Sequence, residues 1–312
     1  MNPRSVLALI AIAFLSISCS ENTPTQPPAP EPLIAPGDAI TQPTWSPDGK
    51  TIAYVYMPYD VTAPESSWQV WTMDVLTRKA SLLTLGEYPA WSPDSRSLAY
   101  SHIGLEVRDM ASGSVRQVTS RWADHPTWLP QGDALAFQAN YDNEANPFDQ
   151  AGIRLVTLAG GQDRLVLPFG NDLPAWSSVD SVFALVTWFG SSPKAQIALC
   201  NARTAKLTQL SANQDDNWEP AWSHDGSRIA WSGQAPGKPR RIWVMNADGS
   251  GQRNLGIDGE WPAWSPDGST LAYAAYDKVS RTQALWQIDL ASGARTRLQV
   301  APRSLNPYPP LP

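Results

Sequence analysis

The triplet Pro-Ala-Trp or Pro-Thr-Trp occurs six times, starting at Pro43, Pro89, Pro126, Pro174, Pro220 and Pro262, with successive spacings of 46, 37, 48, 46 and 42 residues. A period of this size means that the chain is an array of supersecondary units, each too small to bury its own apolar face. The clearest copies read Pro43-Thr-Trp-Ser-Pro-Asp-Gly-Lys-Thr-Ile-Ala-Tyr54 and Pro262-Ala-Trp-Ser-Pro-Asp-Gly-Ser-Thr-Leu-Ala-Tyr273. Aligned, the copies share a Trp column (Trp45, Trp91, Trp128, Trp176, Trp222, Trp264) and, eight residues on, an Ala column (Ala53, Ala99, Ala136, Ala184, Ala230, Ala272). A flat ring facing a methyl group is what neighbouring sheets need to approach closely around a crowded axis. Between the two columns, Pro presets φ and Gly accepts a positive φ, so Ser-Pro-Asp-Gly turns the chain back as a hairpin.

Each repeat has a second half. A strand-like run follows the aromatic that succeeds the Ala: Val70–Asp74, Leu105–Asp109, Ile153–Thr157, Ile197–Cys200, Ile242–Asn246 and Leu285–Asp289. Turn formers come next in most copies, as in Asn246-Ala-Asp-Gly249, and a last short run such as Val115–Thr119 or Arg253–Leu255 closes the unit. Four short strands per unit and six units predict an all-β fold, a six-bladed β-propeller of four-stranded antiparallel blades over 37–301.

The repeat Pro-Ala-Trp-Ser-Pro-Asp-Gly, the aliphatic-Ala-aromatic strand, Ile242-Trp-Val-Met-Asn246 and the closing Leu-Thr resemble the WD40-like repeats of the TolB family, from Pro43 to about Val300. The resemblance implies a TolB-like propeller in a bacterial envelope, where TolB is a periplasmic partner of the peptidoglycan-associated lipoprotein. TolB also carries an N-terminal α/β domain, for which Ser20 to Ala39 is too short and too rich in Pro. Only the propeller is therefore carried over.

Residues 1–18 combine one cation, Arg4, with an apolar stretch from Val6 to Ile17 and small residues before Cys19, the pattern of a secretory signal peptide. Leu15-Ser-Ile-Ser-Cys19 resembles a bacterial lipoprotein signal, which makes Cys19 the expected lipid attachment point and the lipid the membrane anchor. Residues 19–36 carry six prolines among polar residues and are expected to form an extended tether. Residues 302–312 are a second Pro-rich stretch. The net charge of −6 argues against a nucleic-acid partner, which needs a basic footprint. Cys200, inside an apolar run, is expected to be a small buried hydrophobe.

If the Pro-x-Trp strand runs along the channel, all Ser-Pro-Asp-Gly hairpins share one end, here called the turn end. The loops joining second to third strands, and each unit to the next, share the other, the loop end. The turn end is repetitive and the loop end diverse, so recognition is expected at the loops. Residues preceding each repeated Pro are expected to ring the channel mouth, with acids beside them. The candidate rim for a partner or cationic ligand is Tyr88, Asp124, His125, Asp172, Asp216, Glu219, Glu260 and Trp261.

No catalytic residue, cofactor or metal is expected. The three histidines, His102, His125 and His224, fall at different ends, and no Gly-x-Ser-x-Gly elbow occurs. Tyr141–Asp149 is acidic but lacks the ligand alternation of a calcium loop. Asp48, Asp225 and Asp267 recur at turn positions and are read as structural. Three functional classes follow. The first is a non-enzymatic, membrane-anchored envelope lipoprotein whose loop end binds a protein or small ligand. The second is a propeller lyase or hydrolase acting on a small molecule or sugar at the channel mouth. The third is a sugar- or peptide-binding module using Trp188, Trp218 and Trp261 as a stacking shelf.

Overall fold

The computed structural model describes residues 38–58, 68–139, 151–159, 163–179, 181–190, 192–279 and 281–298. The strands, in chain order, are β1 (Ala39–Trp45), β2 (Thr51–Met57), β3 (Gln69–Asp74), β4 (Ala80–Leu85), β5 (Glu87–Trp91), β6 (Ser97–His102), β7 (Gly104–Asp109) and β8 (Val115–Thr119). They continue as β9 (Ala123–Trp128), β10 (Ala134–Ala139), β11 (Gly152–Thr157), β12 (Arg164–Pro168), β13 (Asn171–Trp176), β14 (Val182–Trp188), β15 (Ala195–Asn201) and β16 (Leu207–Gln209). The last are β17 (Asp216–Trp222), β18 (Arg228–Gln234), β19 (Arg241–Asn246), β20 (Arg253–Asp258), β21 (Glu260–Trp264), β22 (Thr270–Asp277), β23 (Thr282–Asp289) and β24 (Arg295–Arg297).

Every set of four consecutive strands is an antiparallel meander, as the alternating run and turn residues predict, and the molecule is a β-propeller of four-stranded antiparallel blades. Four of these sets, β5–β8, β9–β12, β13–β16 and β17–β20, are separate sheets. The sets β1–β4 and β21–β24 form one eight-stranded sheet, joined where β1 pairs parallel with β23 at Ala39 and Gln283. Against the expected six blades, four stand as separate four-stranded sheets, and the first and last sets are fused by one bridge. The inner strands β1, β5, β9, β13, β17 and β21 pack side by side in a closed cycle, with β21 returning to β1.

The Trp and Ala columns hold adjacent sets together. Ala53 shares a core cluster with Trp91, Ala99 with Trp128, Ala136 with Trp176, Ala230 with Trp264, and Ala272 with Trp45 across the seam. Trp222 packs against the cluster containing Ala184. Each indole thus joins the apolar cluster that holds the Ala of the preceding set. Three indoles also donate Nε1–H to the preceding inner strand: Trp128 to the Ala90 carbonyl at 3.0 Å, Trp222 to Ala175 at 3.0 Å and Trp264 to Ala221 at 3.1 Å. Burial of one indole, roughly 200 Å², is worth about 5 kcal/mol as an upper bound.

The recurrent turn is held by its own side chains. Ser265 Oγ donates to Asp267 Oδ1 at 2.6 Å and accepts the Thr270 N–H at 3.0 Å, while Ser269 N–H reaches Asp267 Oδ1 at 3.0 Å. Ser46–Asp48, Ser92–Asp94 and Ser223–Asp225 repeat the arrangement. These hydrogen bonds to the ionised form hold the Asp94, Asp225 and Asp267 carboxyls below the ordinary carboxylate range, Asp225 to about 2. The structural reading of the turn aspartates is the one the geometry supports.

Candidate functional site

Each inner strand is broken by a bulge at the residue before its Pro. Pairing with the second strand slips between Thr41 and Thr44, Glu87 and Ala90, Asp172 and Ala175, Trp218 and Ala221, and Glu260 and Ala263; β10 carries the matching irregularity opposite β9. The bulged residues Gln42, Tyr88, His125, Leu173, Glu219 and Trp261 all have left-handed backbone, φ between 50° and 57°. That conformation is unfavourable for a non-glycine residue and costs on the order of 1–3 kcal/mol. Six repetitions in one ring mark a conformation imposed by the fold. It delivers one side chain per inner strand to the channel.

The strain is partly offset by hydrogen bonds running around the ring. Gln42 Oε1 accepts the Tyr88 N–H at 2.7 Å, Gln138 Oε1 the Leu173 N–H at 3.1 Å, and Glu219 Oε2 the Trp261 N–H at 3.0 Å. Three of the delivered rings meet inside the channel. His125 lies parallel to Trp261, 8° between planes and 5.6 Å between centroids, and Tyr88 sits 3.9 Å from His125 and 6.1 Å from Trp261. Burial pushes the His125 imidazole down to about 3, so this ring is neutral at pH 7.

On the turn side of these rings lies a cavity of about 490 Å³ that reaches Pro47, Pro93, Pro130 and His224. Its wall is the repeated Pro-Ala/Thr-Trp segment of all six inner strands, and the ring of bulged residues borders it. Tyr88 and Trp261 are the second residues of β5 and β21, close to the loop end where the inner strands begin, and with His125 and Glu219 they also border the channel cavity.

The acids placed beside them, Asp124, Asp172, Asp216 and Glu260, do not line this cavity, and Asp216 and Glu260 are engaged in ion pairs. Lys194 Nζ binds Asp216 at 2.6 Å. Arg240 lies between two carboxylates, bonding Glu219 Oε1 and Glu260 Oε2, the latter at 3.1 Å. Ser232 Oγ donates to Glu219 Oε2 at 2.5 Å, and Gln283 Nε2 to Glu260 Oε1. Burial raises the Glu219 carboxyl above its ordinary value, Glu260 adds to the rise, and Arg240 opposes it. Trp122 Nε1 donates to both oxygens of Asp124, at 3.1 and 3.2 Å, and burial raises the Asp172 carboxyl. The sequence reading missed Arg240, Gln138 and Ser232. The adjacent cations Arg240 and Arg241, facing an acid-rich ring, were the available signal.

Exposed apolar side chains favour the loop end. Of the eleven large ones exposed among the described residues, Ile103, Trp122, Phe169, Trp188, Tyr276 and Val279 lie there, against Leu76 and Val179 at the turn end. Trp188 and Trp218 meet edge to face at 5.8 Å, whereas Trp261 stacks in the channel, so the anticipated three-Trp shelf is a pair. Among the described residues no group of three or more His, Cys, Asp or Glu is arranged to hold a metal ion. Tyr141–Asp149 and Cys19 lie outside the described residues.

No family model matches the chain. Among solved structures, TolB from Acinetobacter baumannii aligns with a TM-score of 0.65 at 17% identity, over 86% of this chain and 65% of that one. The fold is a TolB-like β-propeller. A putative TolB from Agrobacterium tumefaciens gives 0.63 at 22% identity, over 74% of this chain and 87% of that one. The β-propeller domain of the Trilobed protease from Pyrococcus furiosus, described as having an open velcro topology, gives 0.55 at 13% identity, over 84% of each chain. The chain therefore spans a little under two thirds of the A. baumannii protein, and such identities carry the fold alone.

Proposed function

We propose that this TolB-like propeller is a non-enzymatic binding platform that engages a protein partner through its loop end. The reading counts six blades, taking the eight-stranded sheet as two blades touching at a single bridge. It places the protein in a bacterial envelope, anchored by lipid at Cys19. The observation that supports it is the concentration of exposed Trp122, Phe169, Trp188 and Tyr276 on the loop end, where carboxylates such as Asp216, Glu219 and Glu260 are in ion pairs. Aromatic anchors surrounded by polar groups are the usual composition of a protein-binding patch.

The test is site-specific photocrosslinking from full-length protein in intact envelopes. A photoreactive residue at 122, 188 or 276 is expected to capture one common partner band, while residue 76 or 179 at the turn end captures none. Equal capture from both ends, or none from the loop end, would refute the platform. Crosslinks to glycan alone at residue 188 would favour the sugar-binding reading, for which the Trp188–Trp218 pair is the supporting observation.

A further inference from the structure

We propose that the channel cavity is a second, separate site, which binds a small organic cation: an ammonium or guanidinium head on an apolar body, seated with its charge against the Tyr88, His125 and Trp261 rings. The volume of about 490 Å³ falls within the range of small-molecule sites. The walls suit an apolar body, because prolines, indole edges and small side chains make up most of them.

The aromatic end suits a cation for two independent reasons. Aromatic faces attract positive charge, by about 2 kcal/mol where water is excluded. Tyr88, His125 and Trp261 all border the cavity, and none of the three is fully buried. The second reason is charge. Buried Glu219 and partly exposed Glu260 share the single guanidinium of Arg240, a formal count of two carboxylates to one cation. Glu87, Asp124 and Glu219 also act electrostatically on the Tyr88 hydroxyl. The neutral His125 stacked on Trp261 contributes ring surface without repelling a cation. An anion would meet this negative field directly, and a neutral ligand would gain only the walls.

The experiment is isothermal titration of the full chain with three probes of one length: hexyltrimethylammonium, heptan-1-ol and heptanoate. The cation is expected to bind at least tenfold more tightly than the alcohol, and heptanoate to bind least. Trp261→Leu is expected to weaken cation binding about tenfold while leaving the alcohol within threefold. Glu260→Gln, which removes one of the two carboxylates on Arg240, is expected to narrow the gap between cation and alcohol. Ala175→Phe, which places a ring in the cavity wall, is expected to abolish binding of all three. Equal binding of cation and alcohol, no binding of the cation, or cation binding that survives Ala175→Phe in a protein with an unchanged unfolding midpoint would each overturn the assignment. None of these outcomes depends on what the loop end binds.

Discussion

Phe substitutions at Trp264 and Trp45 test whether the indole column acts as a set of hydrogen-bonded staples or only as packed surface. Both side chains are buried, at 2% and 7% exposure, in equivalent positions of the repeat. They differ in hydrogen bonding: Trp264 Nε1 donates to the Ala221 carbonyl at 3.1 Å, whereas Trp45 Nε1 is buried without a partner among the described residues. Trp→Phe removes about the same volume at each site, so the packing cost is shared. At Trp264 the change also removes a hydrogen bond worth about 1 kcal/mol and leaves a carbonyl unpaired. At Trp45 it removes an unsatisfied donor, whose burial costs roughly 1–3 kcal/mol. The Trp264→Phe protein should therefore be less stable than Trp45→Phe by roughly 2 kcal/mol. Arg228, 4.3 Å from the Trp264 ring centroid, adds to the difference to the extent that Phe binds it less well. Equilibrium urea unfolding reads this as a lower midpoint for Trp264→Phe at equal slope, and a thermal scan as a gap of about 4–8 °C. Coincident midpoints would refute the hydrogen-bond reasoning and leave packing alone.

Two further outcomes follow from titratable groups in the frame. Hydrogen bonds from Ser223 and Ser227 hold Asp225 at about 2, so its contribution is full above the ordinary carboxylate value near 3.8 and is lost as pH falls toward 2. Asp225→Asn should lose less of its thermal midpoint than the wild type between pH 5 and pH 2; parallel declines would count against the turn. The Cys200 thiol is fully buried and pushed up to about 11 by burial, so iodoacetamide at pH 8 should leave Cys200 unmodified in native protein and alkylate it only in denaturant. Rapid native labelling, read by mass spectrometry, would show that β15 opens readily.

Most of the strand pattern was legible because repetition averages out local ambiguity. The run Val115–Thr119 is β8 as read, Ile242–Asn246 is all of β19 but its first residue, and Ile197–Cys200 lies within β15. The Trp and Ala columns were readable as a packing pair for the same reason, although only coordinates show that each pair bridges neighbouring sets. The bulges were not legible. A residue before Pro is normally driven to extended backbone, so nothing in Tyr88-Pro89 or Trp261-Pro262 announces a left-handed φ. Ring closure makes it affordable, and that is a property of all six strands together. The stacking of His125 on Trp261 was invisible for a related reason, since the two residues are 136 positions apart in the chain and meet only because the sheets encircle an axis. Acids were readable as a cluster, but their neutralisation by Lys194 and Arg240 depends on loops whose course the repeat does not dictate.

The left-handed bulge separates what builds the wall from what faces the axis. Pro and the indole on its far side brace the scaffold, while the single residue ahead of them projects inward on a backbone whose shape the ring imposes. Of the six inward positions, 42 and 219 are tied down, because their side chains also cap a neighbouring amide. Positions 88 and 125 are hydrogen-bonded to Glu87 and Gln138, whereas positions 173 and 261 carry no such duty among the described hydrogen bonds, so a designer could rewrite that pair and retune what the tunnel admits while leaving the masonry untouched.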